Sequence, residues 1–212
     1  MKDAFVVAIV GAESTGKTTL GAGLAAALAA EGRRVALVAE YLREFCDRLQ
    51  RTPRAHEQPH LAFEQTRRIA AAAATHDVVV ADTTALMIAV YSDHVFGDRS
   101  LYGEAEAAHR RCDLTLLTAL DLPWLSDGHQ RDGPHVREPV DAKVRAALRR
   151  AGVPYAVVAG EGGDRLAAAL KAVRHALDAP DDADEAAANP RWLWACERCG
   201  DGTCERHLFA RR

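Results

Sequence analysis

The stretch Gly11-Ala12-Glu13-Ser14-Thr15-Gly16-Lys17-Thr18-Thr19 constrains this chain more than any other. It fits G-x-x-x-x-G-K-[ST], and its flanks fit a phosphate-binding loop. The apolar, β-branched run at 4–10 predicts a buried strand, and the Ala/Leu-rich run at 20–30 predicts a helix. Two glycines permit a tight turn whose N–H groups point inward, and the new helix adds its positive end. Lys17 is expected to reach the β- and γ-phosphates and the Thr18 hydroxyl to ligate Mg²⁺. Gly11, Glu13, Ser14, Thr15, Gly16, Lys17, Thr18 and Thr19 are therefore the expected nucleotide-binding set.

Strand patterns recur at 35–39, 77–81, 113–119 and 154–159, alternating with helical patterns at 41–49, 61–74, 85–95, 101–110, 140–151 and 165–177. That alternation predicts an α/β fold: a parallel five-stranded sheet flanked by helices, in the manner of P-loop nucleoside and nucleotide kinases. The prolines at 51–59 predict a loop there. The domain assignment is 1–178 for the P-loop unit, 179–190 for an acidic linker and 191–212 for a Cys/His-rich tail. A net charge of −3 on 212 residues argues against a general nucleic-acid binder. No apolar run is long enough to span a bilayer, and a strand begins almost at the N-terminus, where a signal peptide would lie. The expected location is cytoplasmic, the expected partner a small molecule, and the oligomeric state is left open.

Chemistry in open α/β sheets gathers at the carboxyl ends of strands. Glu40 follows the second strand and Asp82 the third. Asp82 suits the Walker B role beside Mg²⁺, and Glu40 suits a general base for an attacking hydroxyl. The two roles can be exchanged, and either acid can instead cap a helix. Tyr41 and Arg43 would stack on and hold the acceptor, or serve only as core packing and a surface ion pair. The Pro/Gly-rich stretch 121–139 predicts a lid that brings Arg131 over the γ-phosphate, anchored by Trp124. Its alternative is a plain surface loop.

The blocks 11–19, Glu-Tyr-x-Arg-Glu-Phe (40–45), Asp-Thr (82–83) and Trp-x-x-Asp-Gly-x-x-Arg (124–131) occur in this order. Together they resemble the ribosylnicotinamide kinase domain of bacterial NadR proteins and related NadR-like P-loop ATPases. The resemblance implies transfer of the ATP γ-phosphate to the 5′-hydroxyl of nicotinamide riboside, a step of NAD salvage. It places Lys17 and Thr18 on ATP·Mg²⁺, and Glu40, Tyr41 and Arg43 around the acceptor. It sets Asp82 beside the metal and Arg131 in the lid. The family's aromatic residue before the Glu-Tyr pair is Ala39 here, with Tyr91, Phe96 or His56 as replacement faces; Tyr91 is taken as acceptor-binding. With no room for an adenylyltransferase or DNA-binding segment, neither activity is expected.

Three of five cysteines fall in the tail. Cys196, Cys199, Cys204 and His207 form two close pairs that suit a structural Zn²⁺ knuckle, or else a metal-free tail. Cys46 and Cys112 read as small buried hydrophobes. A different class of function is a nucleotide-dependent switch that hydrolyses ATP and signals to a protein partner through this tail.

Overall fold

The computed structural model describes residues 4–125 and 133–178. Arg131 lies outside the described residues, as do the linker at 179–190 and the tail with Cys196, Cys199, Cys204 and His207.

Five strands form one parallel sheet: β1 (Phe5–Val10), β2 (Val35–Val38), β3 (Val78–Asp82), β4 (Leu114–Thr118) and β5 (Ala156–Val158), in the order β2-β3-β1-β4-β5. The helices are α1 (Lys17–Ala30), α2 (Tyr41–Leu49), α3 (Gln58–Ala73), α4 (Ala85–Phe96), α5 (Tyr102–His109), α6 (Arg137–Ala151) and α7 (Gly162–Asp178). Both faces of the sheet are covered, which is why β1 and β3 read as unbroken apolar runs.

Strand alternation divides the core. Val7, Ile9, Val78 and Val80 face one side, where Leu20, Leu24 and Leu28 of α1 and Ala169, Leu170 and Val173 of α7 pack. Leu24 and Leu28 are fully buried, and each contributes roughly 2 kcal/mol by leaving water. Val6 and Val79 face the other side, against Ile69, Ala72 and Ala73 of α3. The first half of α4, residues 85–90, is apolar all round and sits inside the largest cluster, with α2, α5 and α6 about it.

Register then sets the functional edge. Ile9 pairs with Asp82, Val10 with Leu117 and Val38 with Ala81. The carboxyl ends of β1 to β4 therefore bring the phosphate loop, Glu40, Asp82 and Thr118 to one rim. Four helices, α1, α3, α6 and α7, begin earlier than the apolar pattern predicts, α7 at Gly162. Helix α1 starts at Lys17 because Gly16 turns the chain in the left-handed region, at φ 77°. Helix α3 carries Pro59 in its first turn, and α6 carries Pro139 there. Proline is tolerated where the N–H has no intrahelical partner, so these prolines start helices rather than prolong loops.

Candidate functional site

The phosphate loop is held from beneath. Thr15 Oγ1 donates to Ala12 O at 2.8 Å and meets Thr118 Oγ1 at 2.7 Å. A Cβ on Gly11, whose φ is 149°, would lie 2.1 Å from Thr118 Oγ1, so only glycine lets β4 approach this closely. Arg165 of α7 is buried and donates from Nη2 to Thr15 O at 2.9 Å. Its Nη1 donates to Asp121 Oδ1 at 2.8 Å and Gly160 O at 2.7 Å. Lys17 Nζ donates to Gly11 O at 2.9 Å and Ala12 O at 2.7 Å.

Other members of the expected nucleotide set divide by role. Thr15 is buried and spends its hydroxyl inside the protein, so it offers phosphate only its backbone. Thr18 and Thr19 are exposed in the first turn of α1. Glu13 is buried; its Oε1 accepts from Trp124 Nε1 at 2.9 Å and Gly133 N at 3.3 Å. Ser14 Oγ accepts from Leu125 N at 2.8 Å. The loop thus grips both described ends of the 121–139 stretch.

Beside it opens a cavity of about 220 Å³. Glu13, Ser14, Lys17, Glu40, Arg43 and Thr83 give its lining polar groups. Met87, Ile88, Tyr91 and Phe96 of α4 give it an apolar surface, and Cys46 of α2 and Gln58 of α3 also line it. Lys17, Glu40, Arg43 and Tyr91 are thereby brought together. Tyr41 is not among the lining residues. Its buried ring packs on Phe45 and His60, with the Arg68 guanidinium 4.3 Å away. Of the replacement faces, Tyr91 and Phe96 reach the cavity and His56 does not.

The two carboxylates differ electrostatically. Burial pushes Glu40 up from the ordinary range; nearby Asp82 adds to this, while Lys17 and Arg43 oppose it. Glu40 Oε2 also accepts from Arg43 Nε at 3.2 Å, and the Glu40 side chain keeps 17% exposure. Asp82 is 2% exposed, and its Oδ1 has no hydrogen-bond partner among the described residues. An orphaned carboxylate oxygen beside a phosphate loop fits a Mg²⁺ shell, held directly or through water. Thr83 follows with φ 81°, a strained conformation for a β-branched residue that costs about 1–3 kcal/mol. Its Oγ1 is also buried without a partner among the described residues.

Three residues of this site escaped the sequence pattern: Thr118, Arg165 and Gln65. Gln65 of α3 is fully buried and bonds only to backbone. Its Oε1 accepts from Tyr41 N at 2.8 Å, and its Nε2 donates to Thr83 O at 3.1 Å and Ala39 O at 3.3 Å. Apart from Gly160 beside Arg165, their partners are distant in sequence, so no local motif marks them.

Solved structures share this fold. A NadR protein in complex with NR matches at a TM-score of 0.69 and 19% identity, over 84% of this chain and 52% of that one. A NadR protein in complex with NAD and AMP-PNP matches at 0.65 and 21%, over 84% and 50%. Thymidylate kinase from Ehrlichia chaffeensis matches at 0.59 and 14%, over 82% and 98%. The chain spans about half the length of the two NadR chains. No curated protein matches the sequence. The fold is that of P-loop kinases, as the resemblance to NadR implied. Among the described residues, no helix is long and apolar enough to cross a membrane. The model of the family described as an AAA domain matches residues 6–165, well over half of the sequence, and the chain belongs to that family.

Proposed function

We propose that this chain is an ATP-dependent nucleoside kinase that phosphorylates a ribose 5′-hydroxyl, with nicotinamide riboside as the leading acceptor. One observation carries this reading. A single cavity is lined both by the phosphate-loop lysine with the partly buried Glu40 carboxylate and by aromatic and aliphatic side chains of α4. Such a lining suits a sugar hydroxyl aimed at phosphate and a flat base against Met87, Ile88, Tyr91 and Phe96. The NadR neighbours support the choice of acceptor.

The phosphates of ATP would lie on the loop's N–H groups, with Lys17 leaving its carbonyls to meet the β- and γ-oxygens. Thr18 and Asp82 would hold Mg²⁺, which when bound neutralises charge on those oxygens. Glu40 takes the proton of the acceptor hydroxyl as its oxygen bonds to the γ-phosphorus. The bond from that phosphorus to the β–γ bridging oxygen breaks, and ADP leaves. Burial raises the basicity of Glu40, which suits proton removal near neutral pH. Arg43 holds the Glu40 carboxylate in place. Arg131 would add positive charge from the loop.

ADP release from ATP·Mg²⁺ with a panel of nucleosides tests this, using Lys17→Ala as the blank. One nucleoside is expected to raise the rate strongly and to gain one phosphate by mass. Glu40→Gln is expected to lower kcat by about 10²–10⁴-fold while the nucleotide still binds. Slow release that ignores every acceptor overturns the kinase reading in favour of a nucleotide switch. Full turnover in Glu40→Gln, with turnover lost in Asp82→Asn, moves the base to Asp82.

A further inference from the structure

We infer that Gln65 is a positioning residue that holds the Glu40 and Asp82 strand ends at the spacing phosphoryl transfer needs. This rests on the kinase reading above. The three backbone groups that Gln65 binds flank the two acids. Ala39 O and Tyr41 N lie on either side of Glu40, and Thr83 O lies just after Asp82. One amide side chain therefore links the ends of β2 and β3, where each leaves the sheet, to the first residue of α2. Strands β2 and β3 are already paired, but that ladder stops at Val38 and Ala81, short of both acids. Beyond it, Gln65 supplies the described link between the two segments.

The geometry at Thr83 points the same way. Its left-handed backbone persists because both of its flanking peptide groups are held. The N–H of Thr83 donates to Ile9 O at 3.1 Å on β1, and its carbonyl accepts from Gln65. Gln65 is itself fixed by burial on the stripe Gln58, Leu61, Gln65 that α3 turns inward. A buried apolar residue would fill this position with no polar cost to itself. An amide with three backbone bonds instead specifies one arrangement of the groups around it.

The test uses the full chain. Gln65→Met keeps length and volume but removes all three bonds. Nucleotide affinity is read with a fluorescent ATP analogue, turnover as acceptor-dependent ADP release, and the Tyr41 bond as amide hydrogen exchange. The variant is expected to bind the analogue within about threefold of wild type yet to lose kcat by about 100-fold, as misplaced catalytic groups do. Exchange at the Tyr41 amide should quicken by about tenfold. Gln65→Glu covers the case in which Gln65→Met fails to fold. It retains an acceptor for Tyr41 N–H and lacks the donor while ionised, so its kcat should also fall. As pH drops, the introduced carboxyl regains a proton to donate, and kcat relative to wild type should recover; a purely structural defect gives parallel profiles. Lys17, Arg43 and Asp82 act on Glu40, and Arg68, paired with Glu44 and Glu64, lies over Tyr41; all are common to both proteins. Wild-type kcat in a folded variant, or parallel profiles, overturns the inference. Absence of acceptor-dependent turnover in the wild type overturns the kinase reading instead. Spacing is then read from titration of the Glu40 carboxyl by carbon NMR. A midpoint unmoved in folded Gln65→Met, which adds no charge, overturns the inference, and a displaced one upholds its spacing role alone.

Discussion

Lowering the pH below about 6.5 should cost this protein about 3 kcal/mol through His109 alone. The imidazole is 1% exposed, with Nδ1 2.9 Å from Thr84 Oγ1 and Nε2 3.0 Å from Thr115 Oγ1. Thr84 is the N-cap of α4 and accepts from Leu86 N at 3.3 Å. Its hydroxyl proton is then available to Nδ1, while Nε2–H donates to Thr115. Protonation makes both ring nitrogens donors, turns the Thr84 hydroxyl away and leaves a buried charge. Burial accordingly drops the imidazole from the ordinary 6.5 to about 4. Between those values the unfolded chain binds the proton and the folded chain does not. The contribution is therefore complete above pH 6.5, declines as pH falls, and is gone by about pH 4.

Urea unfolding of wild type and His109→Gln from about pH 7 to about pH 4 isolates this effect. Burial raises Glu40, which opposes the trend, but that contribution is common to both proteins and cancels in the difference. Glu57 and Glu64, each held near 2 by arginine hydrogen bonds, act mostly below this window and cancel as well. The stability gap between wild type and variant should change by about 3 kcal/mol, with wild type losing ground as pH falls. Parallel pH profiles would refute the assignment of His109 as a neutral, buried link.

Four further substitutions probe the loop. Arg165→Met leaves Thr15 O, Gly160 O and Asp121 without their guanidinium, and should cost about 3–5 kcal/mol by urea unfolding and weaken ATP-analogue binding. Gly11→Ala drives a methyl into Thr118 Oγ1 and should destabilise by roughly 3 kcal/mol. Adding Thr118→Ala should recover only part, since Thr118 O stays 3.2 Å from the same point. Trp124→Phe removes the N–H donated to buried Glu13 and should cost about 2 kcal/mol, with a raised KM for ATP. Unchanged melting in Trp124→Phe would show that this bond does not hold the loop base.

Local chemistry made much of the fold legible. Helix α2 was expected at 41–49 and occurs there, because Glu40 ends an apolar run and Gln50 stops the helix in the left-handed region, at φ 52°. Asp82 was expected at a strand's carboxyl end and lies there. Pro59 and Pro139 misled because a proline's meaning depends on whether it stands inside a helix or in its first turn, and composition cannot tell these apart. Tyr41 was weighed as either an acceptor-lining or a core residue, and only the packing of α3 against α2 shows its ring in the core. Apart from the Arg165 bond to Gly160, Gln65, Thr118 and Arg165 act through contacts 18 to 150 residues away in sequence, so no window on the chain displays their purpose.

Lys17 makes nucleotide binding a trade. Its ammonium already has two peptide carbonyls from its own loop, which imitate the ligand's oxygens. A phosphate gains from this cation only the difference between its own attraction and theirs. One singly charged oxygen offers little over two good dipoles, whereas a chelating triphosphate offers several negative oxygens at once. The loop's own carbonyls thus act as a built-in competitor, and lone anions in the surroundings meet a lysine that is already engaged.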